Sequence, residues 1–139
     1  MGGYNLSSVE CYDPERNEWQ AVAPMPGGRA EPCMVALGGK LYVAGGRNSV
    51  SIHTTPGTVL SSVECFDPAR GTWAAVAPMA TARRRCGAAA IGGKMYLAGG
   101  VDGSGTLLSS VVCYDPVRDK WAEAEPLPEQ TSFGSAVAL

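Results

Sequence analysis

Residues 61–79 read SSVECFDPARGTWAAVAPM, and this stretch recurs as SSVECYDPERNEWQAVAPM at residues 7–25 and as SSVVCYDPVRDKWAEAEPL at residues 109–127. In each copy a tryptophan follows the first serine by twelve residues. Three copies in register within 139 residues indicate one supersecondary unit stacked on copies of itself. The repeat therefore predicts a modular protein, not a single globule built around one unique active site.

The spacing of the repeat varies at one place. Trp19 and Trp73 are 54 residues apart, whereas Trp73 and Trp121 are 48 residues apart. The difference lies between a Gly-Gly pair and the following Ser-Ser pair, where residues 47–60 of one unit correspond to the shorter residues 101–108 of the next. A segment that changes length on a fixed frame is typical of a surface loop, and binding residues concentrate in such loops.

Each unit predicts four short strands. In the unit that begins at Arg83 we expect them at residues 87–91, 94–98, 110–114 and 120–124. A Gly-Gly pair separates the first two strands, and an Asp-Pro pair follows the third, as turns require. Turn signals at intervals of about 8 to 12 residues between β-rich runs predict an all-β protein.

The motifs GGK-[LM]-Y-[VL]-AGG and SSV-x-C-[YF]-DP, with the tryptophan at fixed spacing, resemble the Kelch repeat over essentially all 139 residues. The resemblance implies that four-stranded antiparallel sheets form the blades of a β-propeller. It also implies that paired glycines let neighbouring blades approach closely and that all three tryptophans are buried between strands.

The pattern divides the chain into two complete units and two partial ones. We expect residues 1–28 to form the C-terminal half of a blade, residues 29–82 and 83–129 to form one full blade each, and residues 130–139 to form the first strand of a further blade. Because a propeller has roughly four to eight blades, the sequence predicts an incomplete ring. Its open edges would favour pairing with another chain.

Composition argues against several classes of partner. A net charge of −2 gives no reason to expect nucleic acid or an anionic membrane as a partner. No apolar run approaches the roughly 20 residues that a membrane-spanning helix needs. An odd number of cysteines without close spacing argues against a disulfide framework or a zinc site and for a reducing compartment, so we expect a cytoplasmic location and no cofactor.

The five cysteines fall into two groups. Cys11, Cys65 and Cys113 hold the same repeat position, which predicts buried packing positions. Cys33 and Cys86 lie near the start of the first strands, and Cys86 follows three arginines. Because neighbouring cations favour the thiolate form, Cys86 is either a reactive thiol or a structural residue.

Catalytic chemistry has little support in the sequence. His53 is the only histidine, so no metal site with two histidine ligands can form, and a nucleophile would have one possible histidine base. Asp13, Asp67 and Asp115 recur in Asp-Pro pairs and are expected to form turns. The glycine-rich residues 99–105 connect two strands, whereas a phosphate-binding loop opens a helix. We therefore predict that the protein is not an enzyme.

A protein-binding surface on one face remains as the hypothesis. In a four-stranded antiparallel blade, the loop between the second and third strands lies on the same face as the link to the next blade. These segments are the longer and more varied ones here, and the linking segments carry Glu31 as well as several arginines. The candidate binding residues are Arg29, Arg47, Asn48, His53, Arg83, Arg84, Arg85 and Asp102.

Arg29 and Arg83 match the arginine that Kelch units carry just before their first strand. In Kelch-like adaptor proteins such arginines line the mouth of the propeller and clamp acidic peptide side chains, for which a guanidinium fork is suited. The alternative is that the two arginines are solvated, or that they hold the linking segment in place by bonding backbone carbonyls. In the next unit Thr131 stands at this position, so the last link need not contribute in the same way.

Two classes of function stay open. The resemblance implies either the substrate-recognition module of a Kelch-like adaptor for a cullin-type ubiquitin ligase, or an actin-binding or cytoskeletal scaffold protein. The motif SSVE-x-[YF]-DP is similar to that of the adaptor subgroup. In that subgroup a BTB region, absent from this chain, forms a homodimer. An upstream BTB region would favour the adaptor, and co-sedimentation with filamentous actin would favour the scaffold.

Overall fold

The computed structural model describes residues 6–48 and 57–132, which contain ten strands in three antiparallel sheets. The first sheet consists of β1 (Val9–Asp13) and β2 (Glu18–Val22). The second contains β3 (Cys33–Leu37), β4 (Lys40–Ala44), β5 (Val63–Asp67) and β6 (Thr72–Val76). The third contains β7 (Gly87–Ile91), β8 (Lys94–Ala98), β9 (Val111–Asp115) and β10 (Lys120–Ala124).

Each four-stranded sheet runs in sequence order, with every strand antiparallel to the next. The all-β architecture with four-stranded blades is therefore confirmed. Three of the four strands expected in the Arg83 unit have the expected bounds, and the third begins one residue later, at Val111. The ladder between β8 and β9 starts there, whereas the carbonyl of Ser110 accepts hydrogen bonds from the Gly99 amide at 3.0 Å and the Arg83 guanidinium at 3.2 Å.

The glycines that follow the second strand of each four-stranded sheet allow a linking segment to pass close by. Gly45 has a φ of 63°, and a Cβ at this position would lie 2.1 Å from the carbonyl oxygen of Arg83 in the next unit. At Gly100, with a φ of 100°, a Cβ would lie 2.6 Å from the carbonyl oxygen of Arg84. Any other residue would therefore push the linking segments away from the sheets.

The hydrophobic core lies between the two four-stranded sheets, where β3 packs against β7 and β8. The rings of Tyr42 and Tyr114 meet across this boundary with their centroids 5.8 Å apart. Burial of an apolar side chain of this size contributes about 1.5–3 kcal/mol, so the packing of two adjacent blades is a large part of their stability. The largest fully buried apolar or aromatic side chains are Val43, Val63, Met95, Leu97 and Tyr114.

Two of the three tryptophans join neighbouring sheets. The indole nitrogen of Trp73 donates a hydrogen bond to the carbonyl oxygen of Ala23 at 2.7 Å, and that of Trp121 donates to Ala77 at 2.7 Å. Trp19 differs because it is 67% exposed, so the expected burial is wrong for this tryptophan. Its sheet has two described strands instead of four, and its ring rests on Tyr12 with a centroid distance of 5.3 Å.

The cysteines correct two expectations. Cys33 and Cys86 form a disulfide with Cα atoms 5.7 Å apart, so the argument against a disulfide is wrong, and with it the inference of a reducing compartment. Of the two alternatives for Cys86, the structure has the structural residue. The pairing arises because β3 and β7 are adjacent across the blade boundary, although 53 residues separate the two cysteines in the chain. Cys65 is buried and Cys113 is half-buried, but Cys11 is exposed on the two-stranded sheet, so the expected burial is wrong for Cys11.

Candidate protein-interaction site

Linking segments and loops meet at one end of the sheets. Ala30 and Arg47 exchange backbone hydrogen bonds of 2.9 Å in both directions, and Arg84 and Val101 exchange bonds of 3.0 and 2.9 Å. The amide of Arg85 also donates to the carbonyl oxygen of Glu31 at 3.0 Å, which joins the links of adjacent blades. The described parts of the linking segments and loops are therefore joined along one edge.

Three guanidinium groups surround one carboxylate at this edge. Nη1 of Arg84 donates to Oε2 of Glu31 at 2.6 Å, and Nη2 of Arg85 donates to Oε1 of the same carboxylate. Nε of Arg47 lies 3.9 Å from Oε2. We call these four residues the arginine cluster.

The cluster is partly exposed. The side chains of Arg84 and Arg85 are 19% and 28% exposed, and that of Arg47 is 42% exposed. The hydrogen bond from Arg85 is the main cause of a lowered pKa of Glu31, with partial burial opposing the shift and Arg84 adding to it. The carboxylate therefore stays ionised at neutral pH, and the guanidinium groups remain within reach of a partner.

Glu31 and Arg85 hold the same repeat position, two residues after Arg29 and Arg83 respectively. Both adopt a φ of 57°, in the left-handed region that residues other than glycine rarely occupy. Such a conformation costs on the order of 1–3 kcal/mol unless its surroundings enforce it, and strained residues of this kind cluster at functional sites. The shared backbone conformation places opposite charges side by side across the blade boundary.

Arg29 is buried and bonded to backbone atoms. Its Nη1 donates to the carbonyl oxygens of Gly45 at 3.0 Å and Ser62 at 3.2 Å, and its Nη2 donates to Oγ of Ser62 at 3.3 Å. Burial lowers the pKa of the guanidinium, and the carboxylate of Glu64, 3.7 Å away, opposes that shift. The side chain therefore ties its linking segment to the start of β5.

Arg83 repeats this arrangement in the next unit and is 1% exposed. Its Nη1 donates to the carbonyl oxygens of Gly99 at 3.0 Å and Ser110 at 3.2 Å, and its Nη2 donates to Oγ of Ser110 at 3.0 Å. Burial lowers the pKa of this guanidinium as well. Both arginines thus make the backbone contacts that the sequence left open as the alternative to binding.

The other candidates close loops. Oδ1 of Asn48 accepts a hydrogen bond from the amide of Thr58 at 3.0 Å. Oδ1 of Asp102 accepts bonds from Ser104 and from the amide of Thr106 at 2.9 Å, and the Ser104 hydroxyl bond is the main cause of its lowered pKa. His53 lies outside the described residues.

Sequence reasoning selected Arg47, Arg84 and Arg85 but did not predict that Glu31 is their common partner. The register of the repeat could have indicated this contact. Glu31 occupies in its unit the position that Arg85 occupies in the next, and adjacent units place equivalent positions next to each other.

The described ranges, residues 6–48 and 57–132, contain no helix with the length and apolar character to span a bilayer. Within the same ranges, no three histidine, cysteine or acidic side chains come together as a metal site would require.

Successive four-stranded antiparallel sheets, packed through their first strands and joined by tryptophan hydrogen bonds, define a segment of a β-propeller. The family described as the KLHDC2/KLHL20/DRC7 Kelch-repeats domain matches residues 1–138. The chain belongs to the Kelch-repeat family, as the sequence motifs indicated.

Similar proteins agree with this assignment. Kelch-like protein 28 of Homo sapiens is 38% identical over 102 residues, which cover 70% of this chain and 17% of that protein. Kelch repeat and BTB domain-containing protein 12 of Danio rerio is 33% identical over 97 residues, which cover 68% of this chain and 16% of that protein. The chain thus spans about one sixth of these relatives.

A solved structure described as the structure of YjhT superposes with a TM-score of 0.76 at 17% sequence identity. The superposition covers 94% of this chain and 54% of that one. At this level of identity the likeness concerns the fold alone.

Proposed function

We propose that this chain is a protein-binding Kelch module whose arginine cluster recognises an acidic segment of a partner protein. The observation that carries the proposal is the group of three partly exposed guanidiniums around a single carboxylate. Guanidinium groups bind carboxylates through charge-assisted hydrogen bonds that are stronger than neutral ones. A partner with acidic side chains could therefore bind at this edge through bonds of the same kind.

The expected affinity is low. Each exposed ion pair contributes about 0.2–1 kcal/mol, and a hydrogen bond to a charged group contributes about 1.5–3 kcal/mol where water is partly excluded. Two or three such contacts amount to roughly 3–9 kcal/mol before the cost of association is subtracted, so the cluster alone would give weak binding. Because the contacts are between charges, binding should weaken as salt rises.

The test is a titration of the 139-residue chain into a fluorescein-labelled peptide with two adjacent glutamates. Replacing both Arg84 and Arg85 with Ala should weaken binding by about tenfold or more, which corresponds to roughly 1.4 kcal/mol. The matched control replaces Arg16 and Arg118, which lie in turns between other strands and have 70% and 78% exposed side chains. If both double variants weaken binding equally, the peptide responds to the net charge of the protein and the proposal of a specific site is wrong.

We further propose that a protein containing this chain serves as a substrate adaptor of a cullin-type ubiquitin ligase, with a homodimer formed through a BTB region. Similarity to a Kelch-like protein and to a protein named for its BTB domain supports this assignment. Residues 29–82 and 83–129 would then be complete blades of the recognition propeller. Co-precipitation of a cullin with the complete protein tests the adaptor role, and co-sedimentation with filamentous actin in its place would favour the scaffold.

A further inference from the structure

The buried arginines of the two four-stranded sheets differ in one contact. Nη2 of Arg29 lies 3.7 Å from a carboxylate oxygen of Glu64 on β5. The equivalent position on β9 is Val112, because β5 and β9 begin at the same position of the repeat. Within residues 6–48 and 57–132, no acidic side chain forms an ion pair with Arg83. Arg83 therefore lacks the carboxylate that Arg29 has.

Burial without a carboxylate partner leaves Arg83 incompletely stabilised. Burial lowers the pKa of both guanidiniums, but at Arg29 the charge of Glu64 opposes the shift, whereas at Arg83 burial acts alone. Nε of Arg83, like that of Arg29, is buried and has no hydrogen-bond partner in the described part of the chain. A buried charge without a counter-charge costs free energy. An anion beside Arg83 would supply the missing charge.

A cavity of about 140 Å³ lies beside Arg83, and Val112 forms part of its wall. The wall also includes Thr81, Ser110 and Trp121. Thr81 is exposed, so the cavity opens to solvent. Because a water molecule takes about 30 Å³ of the liquid, the cavity has room for about four or five water-sized groups. Acetate and propionate are of this size.

Glu123 limits the charge that a ligand in this cavity can carry. It is the cross-strand neighbour of Val112 on β10, it lines the cavity, and it is exposed. An anion in the cavity is attracted by Arg83 and repelled by Glu123, so a second negative charge on the ligand adds repulsion at the rim. These charges favour a ligand with a single negative charge.

We propose that the cavity beside Arg83 is a binding site for a small monocarboxylate, which takes the place that Glu64 fills in the preceding unit. The carboxylate belongs either to a free acid of the size of propionate or to a glutamate side chain of a bound protein. Oγ of Ser110 accepts a hydrogen bond from Arg83 at 3.0 Å, and its own hydroxyl proton can be donated to the ligand. The site is distinct from the arginine cluster, and its test does not depend on acidic-segment binding.

The experiment follows the indole N–H signals of the three tryptophans by NMR while sodium propionate is added. Trp121 lines the cavity, so its signal should shift and saturate with a dissociation constant on the order of 1 mM. The exposed Trp19 is the internal reference. Propionamide, the neutral analogue, and sodium chloride at matched ionic strength should leave the Trp121 signal unshifted.

Three variants test the roles of the carboxylates. Val112→Glu supplies a carboxylate from within the chain, as in the preceding unit, and should weaken propionate binding about tenfold or more. Glu64→Val removes the carboxylate beside Arg29, so the signal of Trp73, which holds the repeat position of Trp121, should begin to respond to propionate. Glu123→Gln removes the repelling charge at the rim and should tighten binding several-fold.

The wild-type titrations decide the proposal even where a variant does not fold. A Trp121 signal that stays in place up to about 100 mM propionate, a hundredfold above the expected dissociation constant, would overturn it. Equal shifts with propionamide would overturn the requirement for a carboxylate, and an unchanged response of Val112→Glu would place the bound propionate elsewhere. A capped tripeptide with a central glutamate separates the two sources. Tighter binding of the tripeptide than of propionate supports a protein side chain, and the reverse order supports a free acid.

Discussion

Replacing Arg83 with Met tests whether the buried arginine of each unit is structural. Arg83 is 1% exposed and makes three hydrogen bonds, to the Gly99 carbonyl at 3.0 Å and to the Ser110 carbonyl and hydroxyl at 3.2 and 3.0 Å. Methionine keeps much of the apolar stem but donates none of these bonds. The change therefore removes the ties that hold the linking segment to β9 while leaving the core filled.

Two opposing effects determine how much Arg83→Met changes the free energy of unfolding. Hydrogen bonds to a charged group contribute about 1.5–3 kcal/mol each, so three of them amount to roughly 4.5–9 kcal/mol before costs. Removing the guanidinium also removes its desolvation penalty, which is several kcal/mol for a buried ion. We expect a net loss of about 2–4 kcal/mol in the free energy of unfolding, a large part of the roughly 5–15 kcal/mol of a typical domain.

The assay is urea unfolding of the 139-residue chain followed by tryptophan fluorescence. With a slope of about 1–3 kcal/mol per molar urea, the midpoint should fall by roughly 1–2 M for Arg83→Met. Arg84→Met is the matched control, because Arg84 is a partly exposed neighbour whose ion pair contributes less than about 1 kcal/mol. Equal midpoints for the two variants would refute the structural role of Arg83.

Three further predictions concern contacts between units. Glu31 has a lowered pKa in the folded state, so its ionisation stabilises the fold at pH values above its ordinary pKa of 4.5. This stabilisation is lost as the pH falls through the lower pKa of the folded state. Glu31→Gln should therefore flatten the pH dependence of the urea midpoint in that acidic range. Trp121→Phe should cost about 1 kcal/mol through loss of the hydrogen bond to the preceding linker, whereas Trp19→Phe, at an exposed ring, should change the midpoint little. Reduction with dithiothreitol should lower stability by about 2–4 kcal/mol through loss of the Cys33–Cys86 bond, and Cys33→Ala should show no further response to the reductant.

The repeat made most of the fold predictable. A pattern that recurs three times reports positions that pack in the same way in every unit, and the strands of the Arg83 unit were placed within one residue of their bounds. The exceptions lie where a unit lacks its usual neighbours among the described residues. Trp19 has the spacing of Trp73 and Trp121, but its burial depends on elements outside its own segment, which no local pattern reports.

The candidate site was less predictable because its contacts run between units. The Cys33–Cys86 bond joins residues at different repeat positions, so neither the register nor the local spacing indicated it. The contact of Glu31 with Arg84 and Arg85 likewise depends on how one blade packs on the next. Arg83 and Arg84 are consecutive in the sequence, yet one is buried and the other lies in the cluster, because alternate side chains of an extended link point in opposite directions.

Differences between equivalent positions do not by themselves mark a binding site. Asn17, Gly71 and Asp119 share one repeat position, with φ values of 56°, 64° and 51°, and they too differ between units. Oδ1 of Asp119 accepts hydrogen bonds from the Ala77 amide at 2.8 Å and from the Tyr114 hydroxyl at 2.7 Å, and these two bonds lower its pKa.

The different residue type at Asp119 is therefore explained by a contact between units. At the arginine cluster a difference between adjacent units coincides instead with three partly exposed guanidiniums grouped around one carboxylate. That coincidence is the reason for assigning the partner site to the edge formed by the linking segments and not to the opposite turns.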